Sequence, residues 1–283
     1  AGTLTLNGGA WAFGGTGGNF EGDFLKNSKG LSINQERIFN FDGSDGNINC
    51  GADSSLALAS SDFTISMWFK TDTLGASRIL FNQGAESDTS DDLHLTLRDS
   101  NVLSLAFYGD DLNSTTTIVA DKWYHVAFVY DEGTKLQSIY LDGVLDCSRT
   151  ATAQFAGTAQ TYIGRYWQDS NHWDGNIVDV RVYKEVLDGG TTTVGANTTG
   201  SLAKLASKML VGVGAPNNWW KLNDETASGG GAGTGYVKDF GTANQQGTMD
   251  TLTWDYDAFG VDIQDNTTTV SNLIVENGQL NTK

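Results

Sequence analysis

The stretch from Asp121 to Asp146, DKWYHVAFVYDEGTKLQSIYLDGVLD, restricts the fold more than any other part of the chain. Apolar and polar residues alternate on either side of the turn DEGT, and the second run ends in another turn, LDG. Side chains of an extended strand point to opposite faces with period two, so this alternation creates an apolar face only if the segment is a strand. An Asp-Gly pair between two such runs supplies the positive φ values that a tight hairpin needs. The pattern predicts a β-hairpin. HVAFVY, apolar on both faces, predicts a strand covered on both sides.

The same texture recurs from Ile38 onward. IFNFDGSDGNINCG sets Phe39 and Phe41 on one side before an Asp-Gly turn. DFTISMWFKTD sets Phe63, Ile65, Met67 and Phe69 against Thr64, Ser66, Trp68 and Lys70. LHLTLRD, VLSLAFYGD, AQTYIGRY and GNIVDVRVYKEVL continue it. Short period-two runs punctuated by Gly, Asp and Asn predict an all-β fold, a two-sheet antiparallel jelly-roll sandwich with one short helix and extended terminal arms. Its expected core includes Phe63, Ile65, Met67, Trp123, Val126, Phe128, Ile139, Leu141, Ile163 and Val180. The helix is SLAKLASKMLVGVG, where Leu202, Leu205, Ala206, Met209, Leu210 and Val213 fall at helical spacing behind Ser201 as N-cap. Its apolar stripe predicts a lid on the sandwich. Residues 1–36, rich in Gly and Asn but carrying Trp11, Phe13 and Phe20, read as an N-terminal arm. The sandwich is then expected over 37–190, an insertion with the helix over 191–216, and C-terminal strands completing the sandwich, with a tail, over 217–283.

Composition narrows the chemistry. The 283 residues include 34 acidic against 17 basic side chains, a net charge of −17, so nucleic acid is not an expected partner. No run approaches the roughly 18 apolar residues of a membrane span. The opening AGTLTLNGGAWAFGG lacks the basic start and apolar run of a secretory leader. The acid excess reads either as a solvated surface or as calcium loops. The candidate ligands for Ca2+ are Asp42 and Asp45, or Asp169, Asn171 and Asp174. Cys50 and Cys147 either pair, if their strands abut, or stay as two thiols. A retaining glycosidase needs two carboxyls about 5 Å apart. The nearest pair here, Asp179 and Glu185, stands roughly 20 Å apart in an extended strand. The three histidines show no metal-ligand spacing. The expectation is that the chain is not an enzyme.

Four stretches, FNFDGSDGNINCG, SDFTISMWFK, DKWYHVAFVYDEGTKLQSIYLDGVL and YIGRYWQDSNHWDGNIVDVRVYKEVL, resemble in that order the successive elements of the concanavalin A-like, laminin-G-like jelly-roll superfamily. The likeness covers about Ile38 to Leu187. It implies two stacked antiparallel sheets in which Trp123, His125 and Tyr183 are architectural. WWKLNDETASGGGAGTGYVKDFG resembles the strand and connection that usually precede the Phe-Asp-Gly turn, yet here it follows the domain. Such a strand either returns to its own sandwich, which is the expectation, or serves a neighbouring subunit.

Sugar binding is the common non-enzymatic use of the family. The loop RYWQDSNHWDG offers Tyr166, Trp167 and Trp173, which either cover the edge of the sandwich, the first expectation, or stack on sugar rings. The tail DNTTTVSNLIVENGQLNTK resembles the ends of phage virion proteins. Two functional readings follow. The first is a non-enzymatic structural or adhesion protein, a capsid decoration or tail-fibre component made in a host cytoplasm and placed on a virion surface. Its partners would be other structural subunits, with homo-oligomers among its assemblies. The alternative is an extracellular, lectin-like carbohydrate-binding module, calcium-dependent and directed at a cell-surface glycan. The aromatic arms and the displaced strand put the structural reading first.

Overall fold

In this computed structural model the described residues are 37–84, 89–157, 160–189, 200–206, 213–223, 227–228 and 234–256, with strand segments at 3–7, 10–14, 33–34, 262–263, 273–276 and 279–282. The chain divides into two units, Ile38–Trp254 and the two ends, Ala1–Arg37 with Asp255–Lys283. In the second of these, Thr3–Asn7 pairs with Ala10–Gly14 and Leu273–Glu276 with Gln279–Thr282. The termini also meet each other, Ile33–Asn34 pairing with Asp262–Ile263.

The larger unit is a two-sheet antiparallel sandwich. Its strands in chain order are β1 Arg37–Asp42, β2 Asn47–Gly51, β3 Phe63–Thr71, β4 Arg78–Gln83, β5 Leu93–Leu97 and β6 Val102–Ala106. Then come β7 Asp111–Thr117, β8 Tyr124–Asp131, β9 Leu136–Leu141, β10 Val144–Thr150, β11 Thr161–Ile163 and β12 Asp174–Tyr183. After the helix follow β13 Asn218–Trp220, β14 Ala227–Ser228, β15 Thr234–Val237, β16 Gly247–Asp250 and β17 Thr253–Tyr256. Among the described residues the first sheet has nine strands, ordered β7-β6-β5-β4-β11-β2-β16-β15-β14. The second has eight, ordered β10-β9-β8-β3-β12-β1-β17, with β13 also on β12. Asp142 and Gly143, at φ 49° and 80°, make the two-residue turn between β9 and β10 that the LDG stretch predicted.

Register explains how the alternation becomes a core. In the first sheet Met249, Ile48, Ile163, Phe81, Leu95, Leu105 and Leu112 stand opposite one another on successive strands, one apolar row crossing the sheet. In the second, Ile65 is registered with Phe128 and Val182, and Phe128 with Ile139. Between the sheets Phe107 meets Tyr130 edge to face at 4.9 Å and lies tilted against Phe155 at 5.2 Å. Gly164, at φ +86°, is required where it stands: a Cβ there would lie 2.5 Å from the Phe41 ring. Eight of the ten expected core residues are buried, whereas Trp123 and Leu141 are half-buried. Both lie at strand ends, Trp123 just before β8, with the Lys70 ammonium 5.7 Å from its ring, and Leu141 at the end of β9.

Strand β8 is buried from Tyr124 to Tyr130, as its unbroken apolar run implied. Its outer side is covered by the helix α1, Ser201–Ala206, whose Leu202 and Leu205 cluster with Ala127, Val129, Tyr183 and Leu187. The helix start differs from expectation. Ser201 is its first residue, and Asp188 supplies the capping oxygens: Oδ1 accepts from Ser201 N at 2.9 Å and the carbonyl from Leu202 N at 3.2 Å. Met209 and Leu210 lie outside the described residues. The WWKLN segment returns to its own sandwich, Trp219 registered with Arg181 and Trp220 with Val180. Asp239 holds it there, accepting from Trp219 N at 2.6 Å and Asn218 Nδ2 at 3.0 Å. Cys50 and Cys147 are separate free thiols, one on each sheet. Burial raises both well above the ordinary range, Cys147 to about 11.

Candidate functional site

The two outer faces differ. That of the second sheet is occupied by α1 and, beside it, by Trp219, whose ring lies 4.4 Å from the Arg181 guanidinium. On the first sheet, the residues alternating with the apolar row form a registered outward row: Tyr236, Thr248, Asn49, Tyr162, Asn82, His94 and Ala106. Period two forces this, because each is the sequence neighbour of a core residue.

At one end of the row a carboxylate organises the surface. Asp92 is fully buried, just before β5. Its Oδ2 accepts from Tyr166 OH at 2.6 Å and Trp167 Nε1 at 3.0 Å, and lies 2.8 Å from His94 Nε2. Its Oδ1 accepts from Asn82 Nδ2 at 2.7 Å, while Asn82 Oδ1 accepts from Trp167 N at 3.0 Å. A buried carboxylate needs hydrogen-bond donors, and here Tyr166, Trp167 and Asn82 supply them, with the His94 ring lying against it. The network locks aromatic rings in place. His94 meets Tyr166 edge to face at 5.0 Å and Tyr108 at 5.9 Å; Tyr166 lies 5.7 Å from Trp167. Tyr108 is 40% exposed, and Tyr166 and Trp167 are half-buried. Gly84 leaves room for the carboxylate, since a Cβ there would lie 2.1 Å from Asp92 Oδ1.

Further along the row the polar groups are uncharged. Tyr162 OH donates to Gln160 Oε1 at 2.5 Å, and Asn49 Nδ2 approaches the same oxygen at 3.4 Å. Arg165 stacks on Tyr162 at 4.1 Å and is paired with Asp169 at 2.5 Å, so its charge is matched.

Of the three expected stacking residues the structure brings Tyr166 and Trp167 together and removes Trp173. Trp173 is fully buried and packs edge to face on Phe69 at 5.7 Å, so its ring is part of the core and not a platform. The reason is its position leading into β12, where the chain turns it between the sheets. The expected calcium ligands are already engaged elsewhere. Asp42 Oδ1 accepts from the amides of Ser44, Asp45 and Gly46 at 2.9, 3.2 and 3.4 Å. Burial alone would raise the Asp42 carboxyl, but these amide donors outweigh it and hold it below the usual range. Asp45 contributes its carbonyl to Asn47 Nδ2 at 2.8 Å. Asp174 Oδ2 takes Thr73 Oγ1 at 2.5 Å and lies 3.3 Å from Arg78 Nη2. Asp169 faces Arg165, and Asn171 Nδ2 donates to Ser77 O at 2.9 Å. Among the described residues no three His, Cys, Asp or Glu side chains are gathered to hold a metal.

Asp92, Asn82, His94, Tyr108, Tyr162 and Tyr236 are absent from the sequence-level candidates. A signal for part of this set exists: in LHLTL and ILFNQ the polar members of the alternation, His94 and Asn82, must face outward.

Comparison with known proteins gives the following. Residues 42–191 match the family model described as the concanavalin A-like lectin/glucanases superfamily. Curated protein sequences give no match. Among solved structures, a Bacteroides ovatus protein for which carbohydrate binding has been suggested is similar at TM-score 0.58 and 20% identity, covering 80% of this chain and 61% of that one. The chain therefore spans about three-fifths of that protein. A heptameric SAP-like pentraxin of Limulus polyphemus gives TM-score 0.45 and 15% identity, covering 61% of this chain and 82% of its own. Domain 4 of an extracellular arabinanase of Geobacillus stearothermophilus, solved with arabinotriose, gives TM-score 0.44 and 18% identity, over 72% of this chain and 87% of that one. At these identities the likeness is one of fold.

Proposed function

The chain belongs to the concanavalin A-like lectin/glucanases superfamily, and from that premise we propose that it is a non-enzymatic carbohydrate-binding module whose site is the outer face of the first sheet. One observation carries the reading: the fully buried Asp92 carboxylate, with Asn82 buried beside it, fixes the half-buried Tyr166 and Trp167 at the outer face next to His94. A sugar is recognised by an apolar ring face together with hydrogen-bonding groups at its edge, and both must be rigid for binding to outweigh the entropy lost. A buried network of three donors on one carboxylate supplies that rigidity.

The same network argues for binding over hydrolysis. Asp92 is fully buried, and both its oxygens accept from neighbouring side chains, so it is not presented to a sugar bound on the face. The virion-surface role draws on the terminal segments and gains no support from the comparisons, whereas the glycan reading rests on residues within the sandwich and the family they belong to. We therefore reverse the order in which the sequence ranked them. The test is a glycan array with the whole chain, repeated with Trp167→Ala. Expected is binding to a restricted glycan set, reduced at least tenfold by the substitution while the thermal midpoint stays within a few degrees. A blank array, or equal binding by the variant, refutes the site.

A further inference from the structure

The outward row runs far past the Asp92 cluster, and we infer that the face takes a neutral, linear oligosaccharide laid across several strands, not a single terminal sugar. This inference rests on the glycan-binding reading above. From His94 the registered row passes through Asn82, Tyr162, Asn49 and Thr248 to Tyr236. That is five inter-strand steps, about 24 Å at the usual strand spacing. A pyranose ring is about as wide as one step, so a sugar seated at Trp167 stops far short of Tyr236.

Tyr236 is the second anchor. It is 55% exposed although its strand has neighbours on both sides in the sheet. Its ring is free to stack on a sugar, on the same registered row as the Asp92 cluster. Between the two aromatic ends Asn82 and Tyr162 are buried, and the row offers the Asn49 and Gln160 amides and Thr248, uncharged groups that match sugar hydroxyls. Arg165 is paired with Asp169, and the Asp92 carboxylate is buried. A sugar acid would bring an anion to a chain of net charge −17 and meet a cation already matched. Neutral sugars meet no such cost.

The test is calorimetric titration of the intact protein with cello-, xylo- and arabino-oligosaccharides of two to six sugars, and with sialyllactose as a charged terminal epitope. The same titrations are made on Tyr236→Ala, with its thermal midpoint as a check that an exposed substitution has left the fold intact. Expected is an affinity that climbs about tenfold from the shortest to the longest member of one neutral series, the scale of one aromatic contact. Tyr236→Ala removes that climb. A disaccharide that binds as tightly as its hexasaccharide, a long-chain affinity untouched by Tyr236→Ala, or preferential binding of sialyllactose overturns the inference and leaves a glycan-binding protein with a short or charged ligand. Silence toward every probe also overturns it, and the array decides separately whether the reading beneath it falls as well.

Discussion

Acid should weaken this sandwich through one histidine. His125 lies on the outer side of β8, only 2% exposed, with its Nδ1 lacking a hydrogen-bond partner. Trp68 closes on its ring edge to face at 5.4 Å, and the backbone N–H donates to Asp142 Oδ1 at 2.9 Å. Burial, with the Arg181 charge adding to it, pushes the imidazole from 6.5 down to about 3. The folded protein therefore refuses a proton that the unfolded chain accepts. A group depressed in this way contributes stability that is fully present above pH 6.5 and is lost as pH falls toward 3. Each pH unit in that window is worth about 1.4 kcal/mol, so roughly 3 kcal/mol is gone by pH 4.5. Carboxylates titrate over the same range, Asp142 among them, its pKa raised by burial. The perturbation is therefore His125→Phe, which keeps a ring against Trp68 and removes only the proton. The assay is urea unfolding of both proteins at pH 7.5, 6.5, 5.5 and 4.5. The variant should start less stable, and the gap should narrow by about 2–3 kcal/mol by pH 4.5, the carboxylate contributions cancelling in the difference. A gap constant within about 0.5 kcal/mol across the series would refute the reasoning, because His125 would then accept its proton in the folded state.

Two further outcomes follow from packing. Trp220→Ala empties a fully buried site on β13 and should cost about 3–5 kcal/mol in urea unfolding with little change in m-value; a loss below about 1 kcal/mol would mean that β13 is not docked on β12 in solution. Gly84→Ala puts a methyl 2.1 Å from Asp92 Oδ1 and should displace the carboxylate, altering Trp167 fluorescence and abolishing glycan binding, whereas full retention of both would show that the network does not organise the face.

The alternation in residues 38–183 was enough to determine an antiparallel sandwich, because period two assigns each side chain to a face without reference to any other strand. It placed Phe63, Ile65, Met67, Val126 and Phe128 in the core, and the Asp142-Gly143 pair in a tight turn. Two of the three loop aromatics singled out in the sequence, Tyr166 and Trp167, are brought together on Asp92. Which strands become neighbours was not legible. Asp92 and Trp167 are far apart in the chain and meet only because β11 lies beside β4 and β4 beside β5. Trp173 shows the converse: its composition suits a platform, yet the turn into β12 directs it inward, and only the packed sheets decide that. The candidate calcium ligands meet other partners in the structure. An acidic residue in a turn satisfies itself first with local amides, as Asp42 does, or with a cation from another strand, as Asp174 does with Arg78. Local sequence determines which way a side chain faces. Long-range pairing alone determines what it faces, and a binding site is made of the second.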